Sequence, residues 1–386
     1  MRILYVINSL EGGGASAPVP AVAAFLQSQG CELRVAALTP RDRRGLPAIE
    51  RAGVAVTIRE GGEKDHLRAL RWLDAEVLAW QPDLIWTSLT RATLLGQIVG
   101  QMHNIPVVSW QHAAYLKPIN ALLLRWRRRR SIFWVADSDT VAAWATHKLG
   151  IEPQRIAVWP LFSADEKAPQ AKPWQPGTPV RIGSLGRLHR VKGYDVLIAA
   201  LTELRASGAC AGLSFEIDIA GDGDLRSDLV RQASLGGLHR LRFVGFTEPR
   251  SFLAGLHLYL QPSRSEGLCI AAHEAMAAGL PVLASAVGEL RYSVVEGETG
   301  ALVPPGDATA LAVKLAEMLG APTRLATMGA AARARVIGRF GGAAFARSGA
   351  AALERIKLAR VEAEASGAGR SASRGQSDRS SSHPSA

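Results

Sequence analysis

Short apolar runs alternate with longer amphipathic ones along nearly the whole chain, and this alternation constrains the fold more than any other feature. Strands are expected at 3–7, 32–38, 54–58, 83–87, 106–110 and 132–136, with helical segments between them, for example at 66–80, 91–103 and 138–149. The pattern then repeats. Strands are expected at 179–184, 214–220, 240–244, 257–260, 281–284 and 300–303, and helices at 193–206, 223–235, 266–278 and 307–319. Such alternation gives parallel sheets covered on both faces. Between the halves, "SADEKAPQAKPWQPGTP" (163–179) carries prolines and few apolar residues, which marks a linker. The expected architecture is therefore α/β, with two doubly wound domains facing a cleft and ligands at the C-terminal ends of the strands. The expected boundaries are 1–165 for the first domain, 166–179 for the linker and 180–358 for the second domain, whose last helix is a candidate to pack back on the first. Residues 359–386, rich in Gly and Ser, are expected to form a disordered tail.

Composition narrows the functional classes. At 386 residues the chain suits two domains, and 48% apolar with 20% charged residues is globular. No run of about 18 apolar residues exists, so no spanning helix is expected. "MRILYVINSL" has one Arg and a short apolar run broken by Asn8, which reads as a buried first strand and not a signal peptide. Cys31, Cys210 and Cys269 are too few and too scattered for a disulfide framework or a Cys-rich metal site, so the cytoplasm is the expected compartment. The net charge of +11 admits nucleic acid or an anionic membrane face as a partner. Its conspicuous source is internal, "LLLRWRRRR" at 122–130. All nine tryptophans lie at or before Trp174. Trp86, Trp110, Trp134 and Trp159 fall within or at the ends of expected strands, and they either fill the first core or line a site for a sugar or lipid acceptor.

Several motifs carry chemistry. "EGGGASA" (11–17) contains Gly12-x-Gly14-x-x-Ala17, a dinucleotide-like spacing, but the second strand ends "VAALTP" without the acid a nicotinamide site needs. Its glycines still require a tight turn and a close backbone approach. In "SLGRLHRVKG" (184–193), Arg187 and Lys192 follow a strand end, where two cations suit a diphosphate or else remain solvated. Two D-x-D triplets, Asp137-Ser138-Asp139 and Asp222-Gly223-Asp224, open helices, where capping competes with metal binding. In "SRSEGLCIAAHEAMAAGLPV" (263–282), Glu266 and Glu274 stand eight residues apart in an apolar segment. With a helix starting at Ser265 or Glu266, the amides of Gly267, Leu268, Cys269 and Ile270 form an anion site. At 100° per residue the two carboxylates then share roughly one face, and Glu274 is placed to accept from ribose hydroxyls.

The stretch "PSRSEGLCIAAHEAMAAGLPVLASAVGELRYSVVEGETGALVPPGD" resembles the donor-site block of glycosyltransferase family 4. These are retaining enzymes of the GT-B architecture, with two Rossmann-like domains. The E-x7-E pair, "EAMAAGLPV" and "GETGALVPPGD" carry the likeness, which covers most of the chain. "GRLHRVKG" is similar to the family's phosphate clamp (Arg187, Lys192), and "AGDGDLR" (220–226) to its next strand–loop. "FVGFT" (243–247) is similar to the loop whose backbone meets the base, which implies Gly245, Phe246 and Thr247. "GGAS" (13–16) is similar to the first glycine loop, which implies Gly13 and Gly14, and "GCEL" (30–33) to the second strand. His112 in "VVSWQHAAY" takes the place of the family's active-site histidine. The sequence departs from the pattern at Ser16 and Ala17, at "WPLF" (159–162), at Cys269 and at Gly288-Glu289.

The resemblance implies transfer of a sugar from a nucleotide-diphosphate sugar to a hydroxyl of a glycan or lipid-linked acceptor, as in surface polysaccharide or lipopolysaccharide assembly. Catalytic roles fall to His112 and Glu266, with no metal and no cofactor beyond the donor substrate. Another GT-B enzyme, such as a sugar-nucleotide epimerase or a phosphorylase, and a non-catalytic sugar-nucleotide-binding protein are the alternatives. No recognised nucleic-acid motif occurs, so nucleic acid is not an expected partner. Arg125, Arg127, Arg128, Arg129 and Arg130 suggest peripheral contact with an anionic membrane, at its inner face if the chain is cytoplasmic.

Overall fold

The computed structural model describes residues 1–11, 15–41, 43–208, 212 and 214–377. The chain forms two compact units, one of residues 1–112, 116–161 and the segment from Ala346 onward, the other of residues 113–115 and 162–345.

The first unit holds seven strands: β1 (Arg2–Ile7), β2 (Glu32–Ala37), β3 (Ala55–Ile58), β4 (Leu84–Ser88), β5 (Val107–Gln111), β6 (Phe133–Ala136) and β7 (Ile156–Val158). They pair in the order β3-β2-β1-β4-β5-β6-β7, and every pairing is parallel. The progression reverses between β1 and β4, the switch point at which such sheets open a crevice. Six of these strands match the sequence reading to within two residues. β7 was not anticipated, because three residues are too few to show a period. Trp86, Trp110, Trp134 and Trp159 are fully buried. Trp110 stacks on Trp159 at 5.1 Å and tilts on Trp86 at 5.6 Å, so the core reading of these four holds.

The second unit holds β8 (Val180–Leu185), β9 (Phe215–Ala220), β10 (Leu241–Gly245), β11 (Leu258–Gln261), β12 (Val282–Ser285) and β13 (Gly300–Val303). The order is β10-β9-β8-β11-β12-β13, again all parallel, with its reversal between β8 and β11. Residues 163–179 do not hang free as a linker. The Ala164 amide donates to the Phe340 carbonyl at 2.7 Å and that of Ala171 to Ala278 at 2.8 Å, while Trp174 packs on the second core.

Two further expectations need correction. The helix foreseen at 266–278 runs only from Ile270 to Ala277, since Cys269 adopts a left-handed backbone (φ 64°) that no helix continues through. The tail foreseen as disordered from 359 is helical as far as Ser377, in a helix that begins at Gly342. Its Ala, Glu, Lys and Arg residues are good helix formers, and Glu354–Lys357 (2.7 Å) and Arg360–Glu364 (2.8 Å) pair along it. The helix begins on the second unit and continues on the first, where Ala352, Leu353 and Ile356 are buried. Gly349 lets it pass close over the aromatic core, for a Cβ there would meet Trp159 at 2.7 Å and Phe25 at 2.8 Å.

Candidate active site

In the second unit the polar groups gather where β8 and β11 end, on either side of the switch point. After β8 the chain turns through Gly186, makes a 3₁₀ turn over Arg190–Lys192 and enters the helix Tyr194–Ser207. Gly193 is required there. Its φ is +68°, and a Cβ would stand 2.0 Å from the Pro262 carbonyl oxygen. This close approach brings the turn against the end of β11. Arg264 staples the two loops, with its amide donating to Val191 O at 2.8 Å and its guanidinium bidentate to Asp195 at 2.6 and 2.7 Å.

The staple brings Lys192 and Glu266 together. Lys192 Nζ donates to Glu266 Oε1 at 2.7 Å, as do Ser263 Oγ at 2.6 Å and Gln261 Nε2 at 3.2 Å. Burial alone would lower the Lys192 pKa, but the Glu266 charge outweighs it and holds the ammonium above its ordinary value. Arg187 is exposed and pairs with none of the described residues. Gly267, Leu268, Cys269 and Ile270 follow Glu266, and only Ile270 lies in the helix. The helical arithmetic that put Glu266 and Glu274 on one face therefore does not apply. The four amides make no hydrogen bond among the described residues, so they remain available to an anion. Gly288 (φ +53°) lets the loop after β12 close over this stretch, where a Cβ would lie 2.5 Å from the Glu266 carbonyl oxygen, and the Glu289 amide donates to Gly267 O at 2.9 Å.

Glu274 is half-buried in the helix and has no hydrogen bond or ion pair among the described residues. Burial pushes its pKa up to about 7, with Arg250 pulling it down and Glu248 pushing it further up. Its neighbour His273 is fully buried. One ring nitrogen bonds Cys269 O at 2.9 Å and the other Ser293 Oγ at 2.7 Å. Ser293 also accepts from Arg339 at 3.0 Å, and Arg339 pairs with the buried Glu289. This chain was not anticipated, since its members are scattered over the sequence. Gly245 (φ +75°), Phe246 and Thr247 follow β10, and the Gly245 carbonyl accepts from the Gly221 amide at 2.7 Å. Burial first, then the Glu266 charge, raises the Cys269 thiol well above its usual range, which makes it a poor nucleophile.

In the first unit, His112 follows β5. Its Nδ1 bonds Asp137 at 3.0 and 3.2 Å, its Nε2 bonds Ser88, and Ser88 accepts from Tyr5 Oη at 3.0 Å. Trp110 Nε1 also donates to Asp137, at 2.7 Å. The strand register explains the meeting: Gln111 pairs with Ala136, so the next residues, His112 and Asp137, leave the sheet side by side. The first D-x-D triplet thus contributes Asp137 as the partner of His112, while Ser138 caps the following helix by accepting from the Val141 amide at 3.3 Å. The second triplet caps nothing, because the helix after it begins at Arg226 with no side-chain cap. Among the described residues no group of three or more His, Cys, Asp or Glu stands in a metal-holding arrangement. Gly13 and Gly14 lie outside the described residues.

The arginines of the basic run divide. Arg127 Nε bonds Gln97 at 3.2 Å, and Arg128 bonds Gly150 O at 2.9 Å and Arg125 O at 2.8 Å, so both serve to hold the segment in place. Arg125, Arg129 and Arg130 are exposed, with Arg129 only loosely near Glu152 at 3.7 Å. No helix of the described residues is long and apolar enough to cross a membrane.

Residues 12–162 match the family Glycosyltransferase Family 4, and residues 179–321 match Glycosyl transferases group 1. The amylovoran biosynthesis glycosyltransferase AmsK of Erwinia amylovora is 35% identical over 188 residues, 46% of this chain and 45% of AmsK, so the chain spans less than half of that relative's length. A phosphatidyl-myo-inositol mannosyltransferase of Mycobacterium leprae is 29% identical over 331 residues, 80% of this chain and 84% of that one. Among solved structures, Anabaena Alr3699/HepE in complex with UDP and glucose aligns with a TM-score of 0.79 at 21% identity, over 92% of this chain and 99% of that chain. The two parallel-sheet units are those of the GT-B fold, and with both halves matched the chain belongs to the group 1 glycosyltransferases of family 4.

Proposed function

We propose that the chain is a retaining glycosyltransferase that moves a sugar from a nucleotide-diphosphate sugar to a hydroxyl of a glycan or lipid-linked acceptor. The observation that carries this reading is the cluster at the β8/β11 switch point: Lys192 beside Glu266, followed at once by four amides with no partner among the described residues. In the reaction the bond from the anomeric carbon to the diphosphate breaks, the acceptor oxygen takes its place, and the hydroxyl proton leaves with the phosphate. Negative charge grows on that phosphate. Lys192, Arg187 and the amides of 267–270 are suited to stabilise it, and a single such donor is commonly worth about 2.7–4 kcal/mol. Glu274, with no hydrogen bond or ion pair among the described residues, suits ribose hydroxyls. Glu266 suits the hydroxyls of the transferred sugar, and Phe246 in the exposed loop after β10 suits the base. A same-face attack needs no protein nucleophile, in keeping with the raised Cys269 thiol. The fixed cation takes the place of a metal at the chemical step.

The HepE complex supports a nucleotide-sugar donor, and the mycobacterial relative, by its name, supports a lipid-linked acceptor. Surface polysaccharide assembly is the process we favour, and the name of AmsK, an amylovoran biosynthesis glycosyltransferase, supports it. A cytoplasmic setting accords with the buried free thiols of Cys31 and Cys269. The test is a thermal-shift screen of UDP-, GDP- and ADP-sugars, since a ligand that binds the native state raises the melting temperature. It is followed by nucleoside diphosphate release with extracted polyprenyl- or lipid-linked glycans, with and without chelator. A stabilising nucleotide sugar and acceptor-dependent release that survives chelator are expected. Failure of all three nucleotides to stabilise the protein overturns the proposal.

A further inference from the structure

The helix Pro118–Arg127 leaves one face bare. Ile119, Leu122 and Trp126 are 59%, 62% and 74% exposed. Their spacing puts them within about 60° of one another around the helix. Leu124, on the other side, is buried and anchors the helix to its unit. Three large apolar side chains in a row on an otherwise anchored helix form an exposed ridge, touched only at its end, where the Arg127 guanidinium lies 5.9 Å from the Trp126 ring centre, and such a ridge marks an interaction surface. The charge beside it identifies the partner. Arg125, Arg129 and Arg130 are exposed on the same segment, and no Asp or Glu occurs in the sequence between Asp83 and Asp137. An apolar ridge with Trp at one end and arginines alongside suits the boundary between lipid headgroups and acyl chains. A nucleic acid would leave the ridge in water, and a neutral partner would leave Arg125 and Arg130 without a counter-charge and Arg129 with only the loose contact to Glu152.

We infer that the Ile119–Leu122–Trp126 face docks on an anionic membrane surface, with Arg125, Arg129 and Arg130 meeting lipid phosphates. Arg127 and Arg128 hold the helix to its unit instead, through Gln97 and Gly150. The inference deepens the reading of a lipid-linked acceptor, because Pro118 is only six residue steps from His112, which span at most about 20 Å. A docked helix therefore keeps His112 near the surface that carries such an acceptor. The docking itself needs no catalysis, so it fails or stands separately from that reading.

The experiment is co-sedimentation of the full chain with phosphatidylcholine vesicles and with vesicles containing about one third phosphatidylglycerol, at 50 and 500 mM salt. Wild type is expected to sediment with the anionic vesicles at low salt and to be partly released at high salt. Each exposed arginine is worth about five-fold at such a surface, so R125Q/R129Q/R130Q weakens binding roughly 100-fold. I119S/L122S/W126S is expected to lose at least ten-fold at both salts. Both triple variants lie on the surface and should keep the wild-type melting temperature; Trp126→Ser alone is the fallback if one does not, with a several-fold loss expected. Wild type remaining in the supernatant at low salt overturns the inference. So does wild-type binding by the ridge variants, which reduces the segment to a general polyanion patch, or a dimer abolished by Trp126→Ser without vesicle binding, which makes the ridge a self-contact.

Discussion

Lys192 and Glu266 belong to different loops, yet Lys192 Nζ donates to Glu266 Oε1 at 2.7 Å. The pair separates two functions that a diphosphate site needs. Removing the cation takes away phosphate binding, whereas neutralising the carboxylate leaves the ammonium free for phosphate. Lys192→Ala is therefore expected to weaken UDP or GDP binding by more than ten-fold and to lower transfer by orders of magnitude. It also leaves a largely buried carboxylate without its cation, at a stability cost of about 2–4 kcal/mol. Glu266→Gln is expected to keep nucleotide affinity within a few-fold and still lose transfer. Calorimetric titration of both variants decides, and equal losses of nucleotide affinity would sink the division of roles.

Glu274 gives a pH signature. Its pKa in the folded chain is pushed up to about 7, above its ordinary value of 4.5, chiefly by burial. The folded form keeps its proton where the unfolded chain has lost it, so this group's contribution is full below pH 4.5 and is lost as pH rises through 7. Glu274→Gln should then be more stable than wild type at pH 8, by roughly 1–3 kcal/mol, and no more stable at pH 4. Nucleotide binding should run the other way. Ribose hydroxyls bond the ionised carboxylate best, so affinity climbs between pH 6 and 8 in wild type and stays flat in Glu274→Gln. Parallel stability curves for the two proteins would remove the assignment.

His112 is already committed at both ring nitrogens, to Asp137 and to Ser88. If Asp137 fixes the tautomer, Asp137→Asn should cut transfer by ten- to a hundred-fold while nucleotide affinity, which depends on the other unit, stays within two-fold. Ser88→Ala frees Nε2 and should leave transfer intact or raise it. A large fall in nucleotide affinity on Asp137→Asn would instead point to a general structural lesion.

Much of this was legible in the sequence, for identifiable reasons. The strands of parallel sheets are buried on both faces, so β1, β4, β8 and β11 read as apolar runs bounded by polar turns. Lys192 and Glu266 could be named because each follows such a run. What could not be read was pairing across the fold. Asp137 looked like half of a capping or metal triplet until the β5–β6 register placed it beside His112. The start of the helix at Ile270 was hidden because an apolar stretch after a glycine continues a helix as readily as it breaks one, and only the left-handed Cys269 decides. The basic run misled in another way: composition weighs five arginines equally, whereas packing spends Arg127 and Arg128 on Gln97 and Gly150.

His273 supplies the last prediction. Burial pushes its pKa down to about 4, although its ring bonds Cys269 O and Ser293 Oγ. The folded state thus refuses a proton that the unfolded chain takes up near pH 6.5, and stability falls as pH drops from 6.5 through 4. A shift of this size at a fully buried site corresponds to about 3 kcal/mol. His273→Leu should remove that slope, so the variant, weaker than wild type at pH 7 because Ser293 keeps only its bond from Arg339 and Cys269 O loses the ring, closes the gap by pH 4.5. The same bond holds the carbonyl of Cys269, whose left-handed backbone costs about 1–2 kcal/mol. Without it the 267–270 amides lose their fixed arrangement, and UDP or GDP affinity should fall several-fold at pH 7. His273→Asn, which can still donate to a nearby carbonyl, should recover part of the affinity but not the pH slope. Denaturant melts at pH 4.5, 5.5 and 7, with nucleotide titrations at pH 7, test both halves. An unchanged slope in His273→Leu would assign the acid sensitivity to another group, and unchanged affinity would free the 267–270 loop from any dependence on His273.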